Sequence, residues 1–368
     1  MKNNRWRGIL LLGFCLLASS VYAQKKKVII GYVGGYRGLI TTNVSPKKLS
    51  IINYAFVDVR NNRAWLHREA TDTINFRRLN ELKKQNPNLK IMISIGGWSW
   101  SGRFSDAALT DTSRTYFATS AADIISKYDL DGIDIDWEYP GRPGDVGNVY
   151  RPEDKDNYTL LFKALRLAMD SLATQTHKKY LLSTAAGGFA GYLTTTDMGS
   201  AQKYLDYINL MTYDYNGKVA GHHTNLYGSK LSKGEYADTA VNAFIAAGVP
   251  AKKLVMGIAF YGHEFNLVPT AKRGIGDSIL NRTNGRGYTF IKDSLINRNG
   301  YVRYRDRAAK APYLYNSVTK KYVSYDDEWS VRKKCKYVLH KKMAGVMFWE
   351  YNEDSKEYLL NEINLDLK

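Results

Sequence analysis

Three carboxylates fall two residues apart in the run Leu130-Asp131-Gly132-Ile133-Asp134-Ile135-Asp136-Trp137-Glu138-Tyr139-Pro140. In an extended strand alternate side chains share a face, so Asp134, Asp136 and Glu138 point one way, and Ile133, Ile135 and Trp137 the other. Steps of two set neighbouring carboxylates about 6.5 Å apart, where each pair repels by roughly 2.5 kcal/mol at an effective dielectric of about 20. That corresponds to about two pKa units, so the set holds a proton near neutral pH. A carboxylic acid kept protonated at the mouth of a pocket is what glycosidic-bond cleavage requires of its general acid. Periodicity alone also admits an edge strand with a wet acidic face. Two features favour the pocket. A helical stretch from Ser113 to Lys127 leads into the run, as at the α-to-β joints of an α/β protein, where strands are covered. Pro140 and Gly141 then end the strand just after Glu138, leaving the glutamate at its C-terminal mouth.

This run resembles the Asp-Gly-x-Asp-x-Asp-x-Glu signature of the family 18 glycoside hydrolases, the chitinase family, with every position filled. The resemblance implies a (β/α)8 TIM barrel, with this segment as the fourth strand and Glu138 as the acid.

The elements that would position such a site are legible as an alternation of strand-like and helix-like segments, which belongs to the α/β class. Apolar runs suited to buried parallel strands lie at Val28 to Val33, Ser50 to Val59, Lys90 to Ile95 and Gly132 to Glu138. Four more lie at Tyr180 to Ala186, Tyr207 to Tyr213, Leu254 to Tyr261 and Ala344 to Trp349, which makes eight. Amphipathic stretches such as Ile74 to Gln85, Asn157 to Leu172 and Tyr236 to Ala247 fall between them. From Gly262 to about Ser324 the alternation gives way to short tyrosine-rich segments separated by Gly and Asn. An interval of this length is usually functional or a subdomain of its own. Family members with deep clefts carry a small α+β insertion between strands seven and eight, so residues 263–324 are expected to be that subdomain within a catalytic barrel spanning 24–368.

In a TIM barrel the site gathers at the C-terminal strand ends. The third strand ends in Ser94-Ile95-Gly96-Gly97-Trp98-Ser99-Trp100, resembling the family's Ser-x-Gly-Gly box. There Gly96 and Gly97 permit close approach of backbone and ligand, and Trp98 offers a flat face to a sugar. The sixth ends in Met211-Thr212-Tyr213-Asp214, resembling the Met-x-Tyr-Asp box. The resemblance implies that Tyr213 holds the substrate's acetamido group and Asp214 contacts the same sugar. Trp349 matches the tryptophan that floors the sugar site, and Tyr32 and Phe56 match aromatic positions beside it. Met211, Tyr139 and Tyr261 complete the expected substrate-binding set. The chain departs from the commonest family pattern in having Ala259 where Pro stands and His263 where Arg stands. His222 and His223 are adjacent and point apart, with no acidic partner spaced for them in sequence, so no metal and no cofactor is expected.

From spacing alone, Asp136 reads as a nucleophile sharing a face with Glu138. The resemblance implies a substrate-assisted mechanism instead. Glu138 protonates the leaving oxygen, and the substrate's own N-acetyl carbonyl attacks the anomeric carbon. Water then opens the oxazolinium ion with retention. Asp136 orients the acetamido nitrogen, Asp134 exchanges a proton with Asp136, and Asp131 is structural.

The chain has 368 residues and a formal charge of +18. Met1 to Ala23 has a basic start, an apolar run from Ile9 to Ser19 and a Val21-Tyr22-Ala23 cleavage pattern. This is the form of a secretory signal cleaved at Ala23/Gln24, and the apolar run is shorter than the ~20 residues that span a bilayer. A secreted or periplasmic protein with no stable membrane insertion is therefore expected. Removing three basic residues with that segment takes the charge to +15 and leaves Cys335 as the one cysteine, with no intrachain disulfide available. Basic residues are read as scattered along the chain and solvated, not as a nucleic-acid stripe.

The expected partner is chitin or an N-acetylglucosamine oligosaccharide, bound by a monomer without a separate carbohydrate-binding module. Peptidoglycan, an N-glycan core, or chitin held by a non-catalytic lectin are the alternatives. Tyr213 favours chitin among the substrates, and Glu138 argues against the lectin.

Overall fold

The computed structural model describes residues 26–40, 43–215 and 217–367. The expected signal segment, Met1 to Ala23, lies outside them. Eight apolar runs form parallel strands: β1 Val28–Gly34, β2 Ile51–Arg60, β3 Lys90–Gly96, β4 Gly132–Asp136, β5 Leu181–Gly187, β6 Tyr207–Met211, β7 Leu254–Ala259 and β8 Gly345–Trp349. Each pairs with the next in sequence, and β8 pairs back onto β1, so the sheet closes into the (β/α)8 barrel expected from the sequence.

Alternation along each strand sorts side chains between two cores. On β1, Ile29 and Val33 face outward into the large layer between strands and helices. Ile30 and Tyr32 face inward, with Ile51, Met92, Val255 and Met347 from neighbouring strands. The middle of the barrel interior is polar, holding Asn53, Ser94, Asp134, Ser183 and Asn209, all fully or almost fully buried.

The helix before β4 shows how the central run is delivered. Asp111–Lys127 opens on a capping box between Thr110 and Ser113, and buries Phe117, Ala121 and Ile125. It ends where Asp129 turns left-handed at φ 50°, and the Leu130 N–H bonds the Ile125 carbonyl. Asp131 then fixes the entry to β4. Its carboxylate accepts the Ile91 N–H at 2.9 Å and pairs with Lys83 at 2.6 Å, Lys178 at 3.4 Å and Lys90 at 3.5 Å.

The seventh strand is shorter than the expected Leu254 to Tyr261. It stops at Ala259, and Tyr261–Leu267 opens a second, antiparallel sheet. That strand pairs with Ile279–Arg282, Arg286–Gly287 and Lys321–Ser324, and the sheet continues through Ala311–Asn316 to Val302–Asp306. Its core is built from the tyrosine-rich segments, with Tyr313, Tyr315 and Tyr322 packed on Phe265 and Leu267. Basic residues run along the whole chain, as read from the sequence, but in the second sheet few acids accompany them. Residues 263–324 hold twelve Lys and Arg against four Asp and Glu, so this interval carries more than half of the expected mature charge.

Candidate active site

β4 ends at Asp136, two residues before the expected boundary, so Glu138 stands on the turn above the strand. Its N–H donates to Ser101 Oγ at 2.8 Å, and its carbonyl accepts from Asn148 Nδ2 at 3.1 Å. Trp137, between the two acids, is buried on the outer side and stacks on Phe104 at 5.3 Å. The turn is thus pinned from behind, and the glutamate is left half-buried at the barrel mouth.

The three carboxylates occupy different environments. Asp134 is enclosed, and each of its oxygens accepts two hydrogen bonds. Oδ1 takes Ser183 Oγ at 2.6 Å and Asn209 Nδ2 at 3.2 Å, while Oδ2 takes the Tyr32 hydroxyl and Ser94 Oγ, both at 2.8 Å. Burial raises its pKa and these four donors offset only part of that, so the carboxyl stays above its usual range. The four donors favour the carboxylate form, against the burial that opposes it.

Asp136 lies next along the strand, 4% exposed, with Oδ1 buried and unpaired. Burial, then the charges of Glu138 and Asp134, push its carboxyl well above the usual range. Burial likewise pushes Glu138 up to about 7, with the Asp214 charge adding to it and the Tyr139 hydroxyl opposing it. The three acids therefore differ in what surrounds them, a donor-lined base, an unserved and strongly raised middle, and a mouth that titrates near 7.

Glycines set the adjoining wall. Gly96 has φ 109°, and a Cβ there would overlap the Asp136 carbonyl. Gly97 has φ 82°, and its Cβ would come 2.6 Å from the Phe56 ring. The close approach is made by the chain's own β4 and β2, not by space held for a ligand.

Above the acids, a pocket of about 430 Å³ opens between the strand ends, within the range of small-molecule sites. Of the expected residues, Asp136, Glu138, Tyr213, Asp214, Met211, Trp349, Trp98, Tyr32, Phe56 and Tyr261 line it. Asp134 lies beneath it. Gly97 and Tyr139 sit behind the lining, Tyr139 meeting Trp98 edge-on at 6.4 Å. Gly96 of the third-strand box lines it too, together with Tyr36, Ser99, Trp100 and Ala185, to which the motif reading gave no role. Trp100 stood in the quoted third-strand run, and Tyr36 follows the Gly34-Gly35 end of β1, a signal that could have marked it. The rings of Tyr36, Phe56 and Trp349 lie within 22° of parallel, with centroids 5.3–6.3 Å apart. They present apolar faces suited to a sugar ring.

The opposite wall is polar. The Tyr213 hydroxyl lies 3.7 Å from Met347 Sδ. Asp214, at φ 61°, accepts the Tyr261 hydroxyl at 2.6 Å and lies 2.7 Å from His263 Nε2. Burial opposes its ionisation, but His223 and His263 outweigh that and hold it well below the usual carboxylate range. Tyr261 and His263 come from the second sheet, so this sheet forms part of the site. His222 and His223 each meet a different acid, His222 lying 3.3 Å from Asp306, 84 residues away, and His223 3.8 Å from Asp214, nine residues before it. The sequence reading found no acidic partner because Asp306 is supplied by the second sheet and Asp214 by the chain's turn back after β6.

The sequence profile of the glycosyl hydrolases of family 18 matches residues 28–354. The chain is 35% identical to Chitinase A1 of Niallia circulans, over 98% of this chain and 61% of that protein. It is 36% identical to Endochitinase 1 of Metarhizium robertsii, over 74% of this chain and 63% of that protein. It therefore spans less than two thirds of these relatives. Among solved structures, a family 18 N-acetylglucosaminidase from Paenibacillus barengoltzii superposes with a TM-score of 0.86 at 40% identity, covering 93% of this chain and 100% of that one.

Proposed function

We propose that this chain, which belongs to the glycosyl hydrolases of family 18, cleaves β-1,4 bonds between N-acetylglucosamine units with retention, as in chitin. The observation that carries the reading is the graded acid ladder under an aromatic pocket. Glu138, the one acid of the three at the mouth, titrates near neutral pH and can give its proton to a leaving oxygen and take one back from water. Asp136 would have to be ionised to act as a nucleophile, and its burial beside two carboxyls opposes that. This supports attack by the substrate's own acetamido oxygen, with Asp136 directed at the acetamido nitrogen and Tyr213 at the oxygen. Proton exchange between Asp134 and Asp136 belongs to the same proposal. Trp349, Phe56 and Tyr32 floor the sugar site, and Trp98, Met211, Asp214 and Tyr261 wall it.

The same proposal takes residues 24–368 as the catalytic barrel with 263–324 as its insertion, acting as an exported monomer. Among the described residues no helix is long and apolar enough to cross a membrane.

A second reading, release of single N-acetylglucosamine units, is favoured by the 40% identical neighbour matched over its full length and described as an N-acetylglucosaminidase. One experiment separates them. The chain and its Glu138→Gln variant are incubated with N-acetylglucosamine hexamer, and product length and anomeric form are followed. Internal cuts giving β-anomers, lost in the variant, support the chitinase reading. Monomer as the first product supports the second, and binding without cleavage by the native chain overturns both.

A further inference from the structure

Ligand atoms of Asp214, His223 and His263 all lie within 4.8 Å of one another, the spacing of a metal site. The surrounding geometry is against one. Arg282 places Nη2 2.6 Å from His263 Nε2, so a guanidinium already stands where an ion would lie. The two imidazoles also stack 4.2 Å apart at 16°, with their edges side by side instead of converging on a common point.

The same contacts point to another role. Arg282 ends the strand Ile279–Arg282, which belongs to the second sheet and pairs with the strand carrying His263. Its side chain meets the ring nitrogen that lies 2.7 Å from Asp214 Oδ1. One nitrogen cannot donate to Asp214 and accept from Arg282 at the same time, so the placement of Arg282 and the proton of His263 are tied. Asp214 in turn lines the pocket with Glu138.

We propose that Arg282 is a positioning residue of the reaction, holding His263 and through it the Asp214 carboxylate that shares the pocket with Glu138. The proposal rests on the hydrolytic reading above. It makes the second sheet a participant in setting the site, through a residue the barrel does not supply.

The charged and titratable groups around this chain of contacts are few. Asp214 is faced by Tyr213, Tyr261, His223 and His263, and His263 by Arg282 and His223. His223 also feels Asp326. Glu138 is faced by Asp136, Tyr139 and Asp214. The Asp214 charge helps Glu138 keep its proton, and the Arg282 cation offsets part of that charge. Without Arg282, Glu138 stays protonated to higher pH.

The test is a double-mutant cycle read as pH profiles of kcat/KM on N-acetylglucosamine hexamer, for the native chain, R282Q, R282K, D214N and D214N/R282Q. The expected result is a basic limb moved up by about half a pH unit in R282Q, screened as an exposed charge is. R282K should restore it. D214N should move it down, and in the D214N background R282Q should move it by clearly less, since only the through-space charge of Arg282 is left to act. A limb unmoved in R282Q, or moved equally in both backgrounds, overturns the proposal. Urea midpoints confirm that each variant is folded, and Arg282 lies at the surface, where substitution is tolerated. A native chain that hydrolyses nothing overturns the hydrolytic reading, and the proposal with it.

Discussion

The hydroxyl of Tyr32, on the first strand, lies 2.8 Å from Oδ2 of Asp134, 102 residues further along the chain. With Ser94, Ser183 and Asn209 it turns the base of the acid ladder into an acceptor surrounded by donors. The upper acids are not so served, and this difference sets three carboxylates of like chemistry in different environments.

Glu138 governs the pH dependence. With its pKa near 7 the acid is protonated below neutrality, and kcat/KM is expected to fall as pH rises above about 7. The Gln variant should lose about 10²–10⁴-fold in kcat. The raised pKa also has a stability consequence. Between the ordinary value of 4.5 and about 7, the folded chain binds more protons than the unfolded one at this site, so folding weakens as pH rises through that window. Thermal melts of the native chain and the variant should therefore diverge in the variant's favour from pH 5 to pH 8. Parallel curves would count against a raised pKa.

Asp134→Asn exchanges one acceptor oxygen for an amide donor where two donors already converge. Rotation of the serine hydroxyls relieves part of this, and a loss of about 1–3 kcal/mol in urea unfolding is expected, together with reduced turnover. Stability within about 0.5 kcal/mol of the native chain would mean that the four contacts do not act as a set.

Asp131 provides the contrast. Burial opposes its ionisation, but the Ile91 N–H, Lys83 and Lys178 outweigh it and lower its pKa. Its contribution is therefore present above the ordinary value of 3.8 and lost as pH falls below it. Asp131→Asn should cost about 1–3 kcal/mol at pH 7, less at pH 3, and leave kcat unchanged. A fall in kcat with unchanged stability would move Asp131 from scaffold to site.

Much of this protein was legible in the chain itself. The period-two run from Gly132 to Glu138 assigned the acids to one face, and eight apolar runs each became a barrel strand, because both patterns are local consequences of strand geometry. The tertiary structure decided what locality cannot. It ended β4 at Asp136, so Glu138 stands on a turn, and it ended β7 at Ala259, so Tyr261 and His263 reach the pocket from a second sheet. It brought Asp214, His263 and Arg282 together from positions 49 and 19 residues apart, and placed acids beside both adjacent histidines. The identity of the carboxylates is written in the sequence. Their protonation depends on desolvation and on donors contributed by β1, β3, β5 and β6, and such fields exist only once the barrel has closed around them.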